Sequence, residues 1–403
     1  MSDRPADARE SESALTHSRT HTLPHPRAWH LVTGEYPPQR GGVGDYTELL
    51  AGALARAGRE VHVWAPAPEG RVDGVEVHPV GGFGRAGRRA MAQGLDRFPA
   101  PRTLLVQYAP RAFGLEGMNV AFCRWLLGRA RAGDDVRVMF HEPFFPFGVQ
   151  RPQRNLLAAV NRGMAMLLLR ASRVAYVSTP AWAERLRPWA PRGLPLRWLP
   201  VPATVPRVDD PEAVAVLRAR LRGGDPGRHV VGHFGTYGAL VAPLLEPALL
   251  AVLAPPANSV ALLLGAGGPE FAERLERADP SLRGRTVAPG WLPPGQVSVH
   301  LQACDVAVQP FPDGASSRRT TLMAALANGV ATVTTSGRST EPLWGESPVP
   351  LVPAGGDGGA LAVEVLNLLD DDARRRGAGE RGRAFYERHF AVERTLDVLL
   401  AEE

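Results

Sequence analysis

Two doubly wound α/β domains, each built on a mostly parallel sheet, are what this sequence predicts. Strand-like and helix-like patterns alternate along the chain, and several strand-to-helix loops are rich in glycine. The alternation is interrupted once, at residues 203–228, where Pro, Asp, Gly and Arg surround one short helix. A length of 403 residues allows two to three domains, and 44% hydrophobic content is ample for sizeable cores.

The first half opens on a short apolar strand, Trp29–Thr33. Pro37 and Pro38 then break the chain, and Gly41, Gly42 and Gly44 form a tight loop. A helix follows that turns Leu49, Leu50, Leu54 and Ala55 inward, Gly58 ends it, and residues 61–64 make the next strand. Strand, loop, helix, strand is a βαβ unit, so the sheet should be parallel. Glycines let a ligand approach the backbone, and a helix start favours phosphate. The loop is not GxGxxG, however, and its spacing leaves a bare turn and a ligand loop equally open.

Further strands are predicted at 75–80, 103–107 and 136–140. Ligands of open parallel sheets bind beyond the C-terminal strand ends. Tyr108, His141 and Glu142 stand there in sequence, and all three are expected to face one crevice. His141 alone would read as a hydrogen-bonded core residue, but beside Glu142 and a Pro/Phe loop it reads as functional. Residues 151–173 form a long helix mixing Leu156, Leu157, Val160, Leu167 and Leu168 with Arg151, Arg154, Arg162 and Arg170. Core packing with snorkelled arginines explains it, the alternative being peripheral contact with an anionic membrane. A strand at 174–178 leads into a helix capped by Ser178 or Thr179, with Pro180 in its first turn.

The second half repeats the alternation, with strands at 229–233, 260–264 and 285–288 followed by FGTYG, GAGGPEF and PGWLPPG. The most informative stretch is 305–337: a buried strand, a turn-rich loop, a helix with Leu322, Ala325 and Leu326 inward, Gly329, and a second strand. Its loop brings Asp313, Gly314, Ser316, Ser317, Arg318 and Arg319 to the helix start. Two guanidiniums and two hydroxyls beside unpaired N–H groups make a cradle for a diphosphate. The competing reading makes Ser317 a cap and the arginines a solvated face. A short strand near Leu351 and a helix at 359–369 follow, and RAFYERHFAVERTLDVLLAEE reads as one strongly patterned helix.

Composition excludes several partners. All 46 cationic side chains are arginine, yet the net charge is only +5 and no basic run carries interleaved aromatics, so no nucleic-acid surface is expected. Cys123 and Cys304 lack metal-ligand spacing and read as buried free thiols. Residues 1–27 have no apolar core, which argues against a secretory signal and for a disordered tail. No stretch approaches the ~20 apolar residues of a membrane span. A cytoplasmic protein is expected.

Taken in order, EYPPQRGGVGDYTELLAGALARAGREVHVW, MFHE, AYVSTPAWAERL, LPVPATVP, VVGHFGTYG, LLLGAGGPEF, APGWLPP and DVAVQPF…GVATVTT carry a resemblance. From Trp29 to the C-terminus the chain resembles the GT-B glycosyltransferases, and among them the retaining family 4 transferases. The resemblance implies two Rossmann-like domains facing a central cleft: an acceptor domain at 28–203, a donor domain at 204–385, and a helix at 386–403 crossing back to the first. It implies a nucleotide-diphosphate sugar as donor, an unidentified acceptor, and no cofactor or essential metal. His141 would contact the transferred sugar. Gly41, Gly42, Gly235, Thr236 and Tyr237 would hold the diphosphate with Arg318 and Arg319. Gly290, Trp291 and Leu292 would take the base, Asp313, Ser316 and Ser317 would complete the donor loop, and Tyr108 and Glu142 would lie on the acceptor side.

Two departures stand out. The family's glutamates, eight residues apart, fall on Ser316 and Ala324, and its Arg/Lys pair is absent from HFGTYGALVAPLL. Arg318 and Arg319 are expected to supply the missing charge. The lost glutamates also motivate a second reading, an inactive nucleotide-sugar-binding paralogue with a regulatory or scaffolding role. A third is another GT-B enzyme, such as a sugar-nucleotide epimerase.

Overall fold

The computed structural model describes residues 28–402 apart from 40, 149–151 and 357. The predicted tail at 1–27 lies outside the described residues. The first sheet holds β1 (Trp29–Thr33), β2 (Val61–Ala65), β3 (Gly70–Val72), β4 (Val75–Pro79), β5 (Thr103–Tyr108), β6 (Asp135–Phe140), β7 (Val174–Val177) and β8 (Leu196–Trp198). Their order is β3-β4-β2-β1-β5-β6-β7-β8, parallel throughout except for β3 against β4. Sequence reading missed β3, whose three residues are all exposed and carry no apolar alternation.

Helices cover both faces of this sheet, so its central strands are buried on both sides rather than alternating with solvent. Leu31, Leu105 and Met139 enter one core with helix Gly42–Arg56. Val32, Val106 and Val138 enter the other, beneath helices Val120–Arg131 and Pro152–Ala171. In the latter helix Ala158, Met164, Ala165, Leu168 and Leu169 are buried, as core packing requires, while Leu156 is exposed. Among the described residues no helix is long and apolar enough to cross a membrane.

The second sheet holds β9 (His229–Phe234), β10 (Ser259–Leu264), β11 (Thr286–Gly290), β12 (Val306–Gln309), β13 (Ala331–Ser336) and β14 (Leu351–Pro353), in the order β11-β10-β9-β12-β13-β14 and wholly parallel. The strand order reverses between β1 and β5 in one sheet and between β9 and β12 in the other. Those reversals open the crevices in which such folds hold ligands. The linker stretch contributes one helix, Pro211–Leu221, and Val205 and Leu221 pack into the second domain's core.

The last segment is two helices, not the single one its periodicity predicts. Asp372–His389 and Val392–Leu400 part at Phe390, whose φ of −128° leaves the helical range. Phe390 is fully buried against Trp344 and Phe385, and that burial turns the chain. The first helix stays on the second sheet, whereas Leu399 of the second enters the first domain's core. Arg137, only 1% exposed, donates to the carbonyls of Leu399 (3.1 Å) and Glu402 (2.9 Å). A buried guanidinium spent on terminal carbonyls clamps the C-terminus to the first sheet.

Candidate active site

The loop after β12 is folded tightly enough to aim its charges. Gly314 has φ +92°, and a Cβ there would lie 2.2 Å from Thr340 Oγ1, so only glycine fits. Asp313 gathers the arginines: its Oδ1 accepts from Arg319 Nη2, and its Oδ2 from Arg318 Nη2 (3.2 Å) and Ser339 Oγ (3.0 Å). Burial pushes the Asp313 carboxyl up, but Arg319, Ser339 and Arg318 together outweigh it and hold it below its usual value. Arg319 lies half-buried over the Phe311 ring, 4.7 Å from its centroid. Burial, with Arg318 beside it, pulls the Arg319 pKa down.

Both guanidiniums line a cavity of about 650 Å³ with His233, Gly235, Thr236, Thr320 and Thr321. Arg338 adds a third cation; it lies in a turn after β13 with no motif to announce it. Helix Thr320–Ala327 begins at this cavity, and among the described residues no side chain caps it. Its first N–H groups and positive dipole end therefore remain for an anion.

The glycine loop of the first domain meets a carboxylate of its own chain. Val43 N–H (2.8 Å) and Gly44 N–H (3.1 Å) both donate to Glu35 Oε1. A Cβ on Gly41 would lie 2.4 Å from that carboxylate. The helix start expected to receive a phosphate is thus satisfied internally, and Gly41 is small so that Glu35 can approach. Gly42 opens the helix beside it.

His141 follows β6. Its Nε2 lies 2.9 Å from Gln107 Oε1, a pairing that assigns the proton to Nε2. The Tyr46 ring meets it edge-on at 5.0 Å. Burial lowers the His141 pKa to about 3, so the imidazole is neutral at physiological pH. Glu142 is exposed next to it, and its Oε1 lies 3.9 Å from Arg318 Nη1, which brings the two domains' predicted groups to one gap. Arg318 also sits 5.9 Å from the Trp182 ring, whose Nε1 donates to the His141 carbonyl (3.2 Å).

Three predicted site residues do not face that gap. Tyr108 is completely buried among Phe113 and Phe140, because its position on β5 points into the core. Ser317 is an interdomain joint: its N–H donates to Glu341 Oε1 (3.0 Å), its hydroxyl lies 2.7 Å from Glu341 Oε1 and 2.8 Å from the Ser178 carbonyl, and it accepts from Trp198 Nε1 (3.1 Å). Ser316 is buried, and Ala324 fills the core. Sequence reasoning missed Glu341, which arrives from a turn 24 residues downstream and also accepts from Trp344 Nε1 (2.8 Å).

It also missed His233, a buried residue of β9 whose Nδ1 faces the Val308 carbonyl at 2.8 Å and whose Nε2 has no hydrogen-bond partner among the described residues. The Tyr237 hydroxyl is spent on the Leu264 carbonyl (3.1 Å), so only its ring borders the neighbouring cavity with Gly267 and Phe271. Gly290, Trp291 and Leu292 line a larger interdomain cleft of about 920 Å³, facing Tyr36, Pro37 and Glu48 of the first domain. Phe234 borders both this cleft and the arginine-lined cavity.

Two Rossmann-like domains facing a cleft, with cavities at the strand-order reversal, constitute the GT-B fold. No protein-family model and no curated protein matches the chain. Solved structures do match. A sucrose-phosphate synthase from Thermosynechococcus elongatus superposes with a TM-score of 0.67 at 16% identity, over 94% of this chain and 100% of that one. HepE from Anabaena, in complex with UDP and glucose, gives 0.65 at 15% identity, over 93% and 99%. A trehalose-6-phosphate protein from E. coli, bound with UDP-2-fluoro glucose, gives 0.64 at 10%, over 93% and 98%. At these identities the likeness is one of fold.

Proposed function

We propose that the chain is a glycosyltransferase, of the retaining family 4 type, that moves a sugar from a nucleotide-diphosphate sugar to an acceptor bound by the first domain. The observation that carries this reading is the pair of guanidiniums, Arg318 and Arg319, turned into the cavity at the β9/β12 reversal and level with Glu142 across the gap. Charge builds on the leaving diphosphate in such a transfer, and fixed cations in a partly buried site stabilise it most. Arg318, Arg319 and the open start of helix Thr320–Ala327 fill that role without an essential metal. Gly235 and Thr236 border the same space, and the base lies toward Gly290, Trp291 and Leu292. His141, neutral at physiological pH, serves the transferred sugar as a hydrogen-bonding group rather than as a charge or nucleophile. UDP-hexoses are the first donors to try, since HepE and the E. coli protein were solved with UDP or a UDP-sugar.

A thermal-shift panel of nucleotide sugars identifies the donor, because stabilisation grows with the logarithm of ligand over Kd. With that donor, Arg318→Ala should weaken binding and cut hydrolysis or transfer ~100-fold or more. Unchanged Kd and turnover in both Arg318→Ala and Arg319→Ala would end the proposal. The replacement of both family glutamates, by Ser316 and Ala324, favours one alternative, a nucleotide-sugar-binding paralogue. Tight donor binding with no hydrolysis in any acceptor mixture would establish that instead.

A further inference from the structure

On the first sheet, away from the arginine-lined cavity, β2 and β4 place three metal-binding side chains together. His62 and Glu76 are direct neighbours in the parallel register, and His78 is paired with Trp64, so His62, Glu76 and His78 share one face. Val61, Val63, Val75 and Val77 point to the opposite face, into the core under helix Gly42–Arg56. One ligand atom from each of His62, Glu76 and His78 lies within 4.8 Å of the others.

We propose that His62 Nδ1, His78 Nε2 and a Glu76 carboxylate oxygen form a binding site for a zinc(II)-type divalent ion, which ties β2 to β4. The two ring nitrogens are 3.0 Å apart, and the Glu76 oxygens lie 3.7 Å from His62 Nδ1 and from His78 Nε2. Zinc–nitrogen bonds of about 2.0–2.1 Å in tetrahedral geometry separate neighbouring ligands by about 3.3 Å. The observed spacings straddle that value, so side-chain shifts of a few tenths of an ångström complete the site. Two imidazoles with one carboxylate suit zinc rather than magnesium or calcium, which take all-oxygen shells. Three protein ligands leave a fourth position for water.

The surroundings fix the ligands in advance. Glu60 Oε1 lies 3.0 Å from His62 Nε2 and accepts its proton, which leaves the lone pair of Nδ1 facing His78 and Glu76. A carboxylate behind a ligating histidine orients the ring and raises its basicity. Phe98 packs 4.4 Å from the His62 ring, and Trp64 stacks on His78 at 4.3 Å with only 17° between planes. Side-chain exposure rises from 5% at His62 through 19% at His78 to 48% at Glu76, which gives an ion a path in from solvent. Without an ion the same 3.0 Å contact needs a proton between the rings, carried by His78 Nε2.

The test uses the full chain with His17, His21 and His25 replaced by alanine, so that the N-terminal histidines supply no ligands. Zinc chloride is titrated into metal-stripped protein against a chromophoric chelator, and cobalt(II) is used as a visible probe of geometry. One equivalent of zinc should bind, the Tm should rise with zinc but not with magnesium, and cobalt should give a tetrahedral d–d band. His78→Asn and Glu76→Gln should each weaken zinc at least ~10-fold, and His78→Asn should abolish the cobalt band. Should His78→Asn fail to fold, Glu76→Gln decides, because that half-exposed side chain is not needed for the core. Absence of saturable zinc binding, or equal zinc affinity in the parent and the folded variants, would overturn the proposal. The measurement is independent of donor turnover.

Discussion

The two domains start their cleft-facing helices in opposite ways. Both helices belong to the strand-order reversal, Gly42–Arg56 after β1 and Thr320–Ala327 after β12. Each presents unpaired N–H groups and half a positive charge, which an anion must meet. In the first domain the anion is internal: Glu35 accepts from Val43 and Gly44. In the second the start is left without a side-chain cap, and Asp313 draws Arg318 and Arg319 alongside it. A helix start is therefore an anion site only where the chain brings no carboxylate of its own. The proposed donor site therefore puts the external anion on the second domain.

Removing the charge from the open side should have the largest effect. Arg319→Ala should lower kcat/KM ~100-fold or more, and more than any change at Glu35. A steady-state comparison that ranks Glu35 above Arg319 would reverse the assignment. Next in size is the joint that holds the second loop in place. Glu341→Ala strands the buried donors of Ser317 and Trp344 and should cost about 3 kcal/mol in urea unfolding. A loss under about 1 kcal/mol would mean that water takes over those contacts.

Acid should act on the closed side through His141. Its native pKa is about 3 against an ordinary value of 6.5, so between those values the unfolded chain binds a proton that the native state refuses. Stability is then complete above about pH 6.5 and falls as pH drops toward about 3. His141→Asn should flatten this limb in denaturant titrations at several pH values. His30, lowered to about 3 by burial and the neighbouring His62 and His78, leaves a residual slope. An unchanged slope in His141→Asn would place the acid sensitivity elsewhere.

Much of this was legible in the chain. Among the described residues, twelve of the fourteen strands lay in runs that read as strands, the central ones because burial on both sheet faces favours apolar runs. The short β3 and β8 carried little of that signal, with burial patterns that are exposed or intermediate. Arg318, Arg319, Asp313 and His141 were legible because a strand end followed by a polar turn marks the crevice of a parallel sheet. Glu35 and Glu341 were not. Each acts across a turn, on backbone groups 8 to 9 and 24 residues away, and no periodicity links a carboxylate to a distant N–H. The break at Phe390 was hidden for a related reason: its apolar side chain continues the helical pattern while burial turns the backbone.

The smallest expected effect gives the sharpest test of the contrast between the two helix starts. Glu35→Gln keeps an oxygen that can accept from Val43 and Gly44 but removes the negative charge beside the dipole end. Such a charge is worth about 0.3–1 kcal/mol, so the melting transition should fall only slightly. Burial and Glu35 together raise the Asp45 carboxyl above its usual value, and the substitution should let it relax downward, a change readable by carbon NMR of the side chain. If the first loop is closed to external anions, the donor Kd stays where it was. If the loop is instead the diphosphate site, removing the competing carboxylate lowers the Kd, and the anion belongs to the first domain after all.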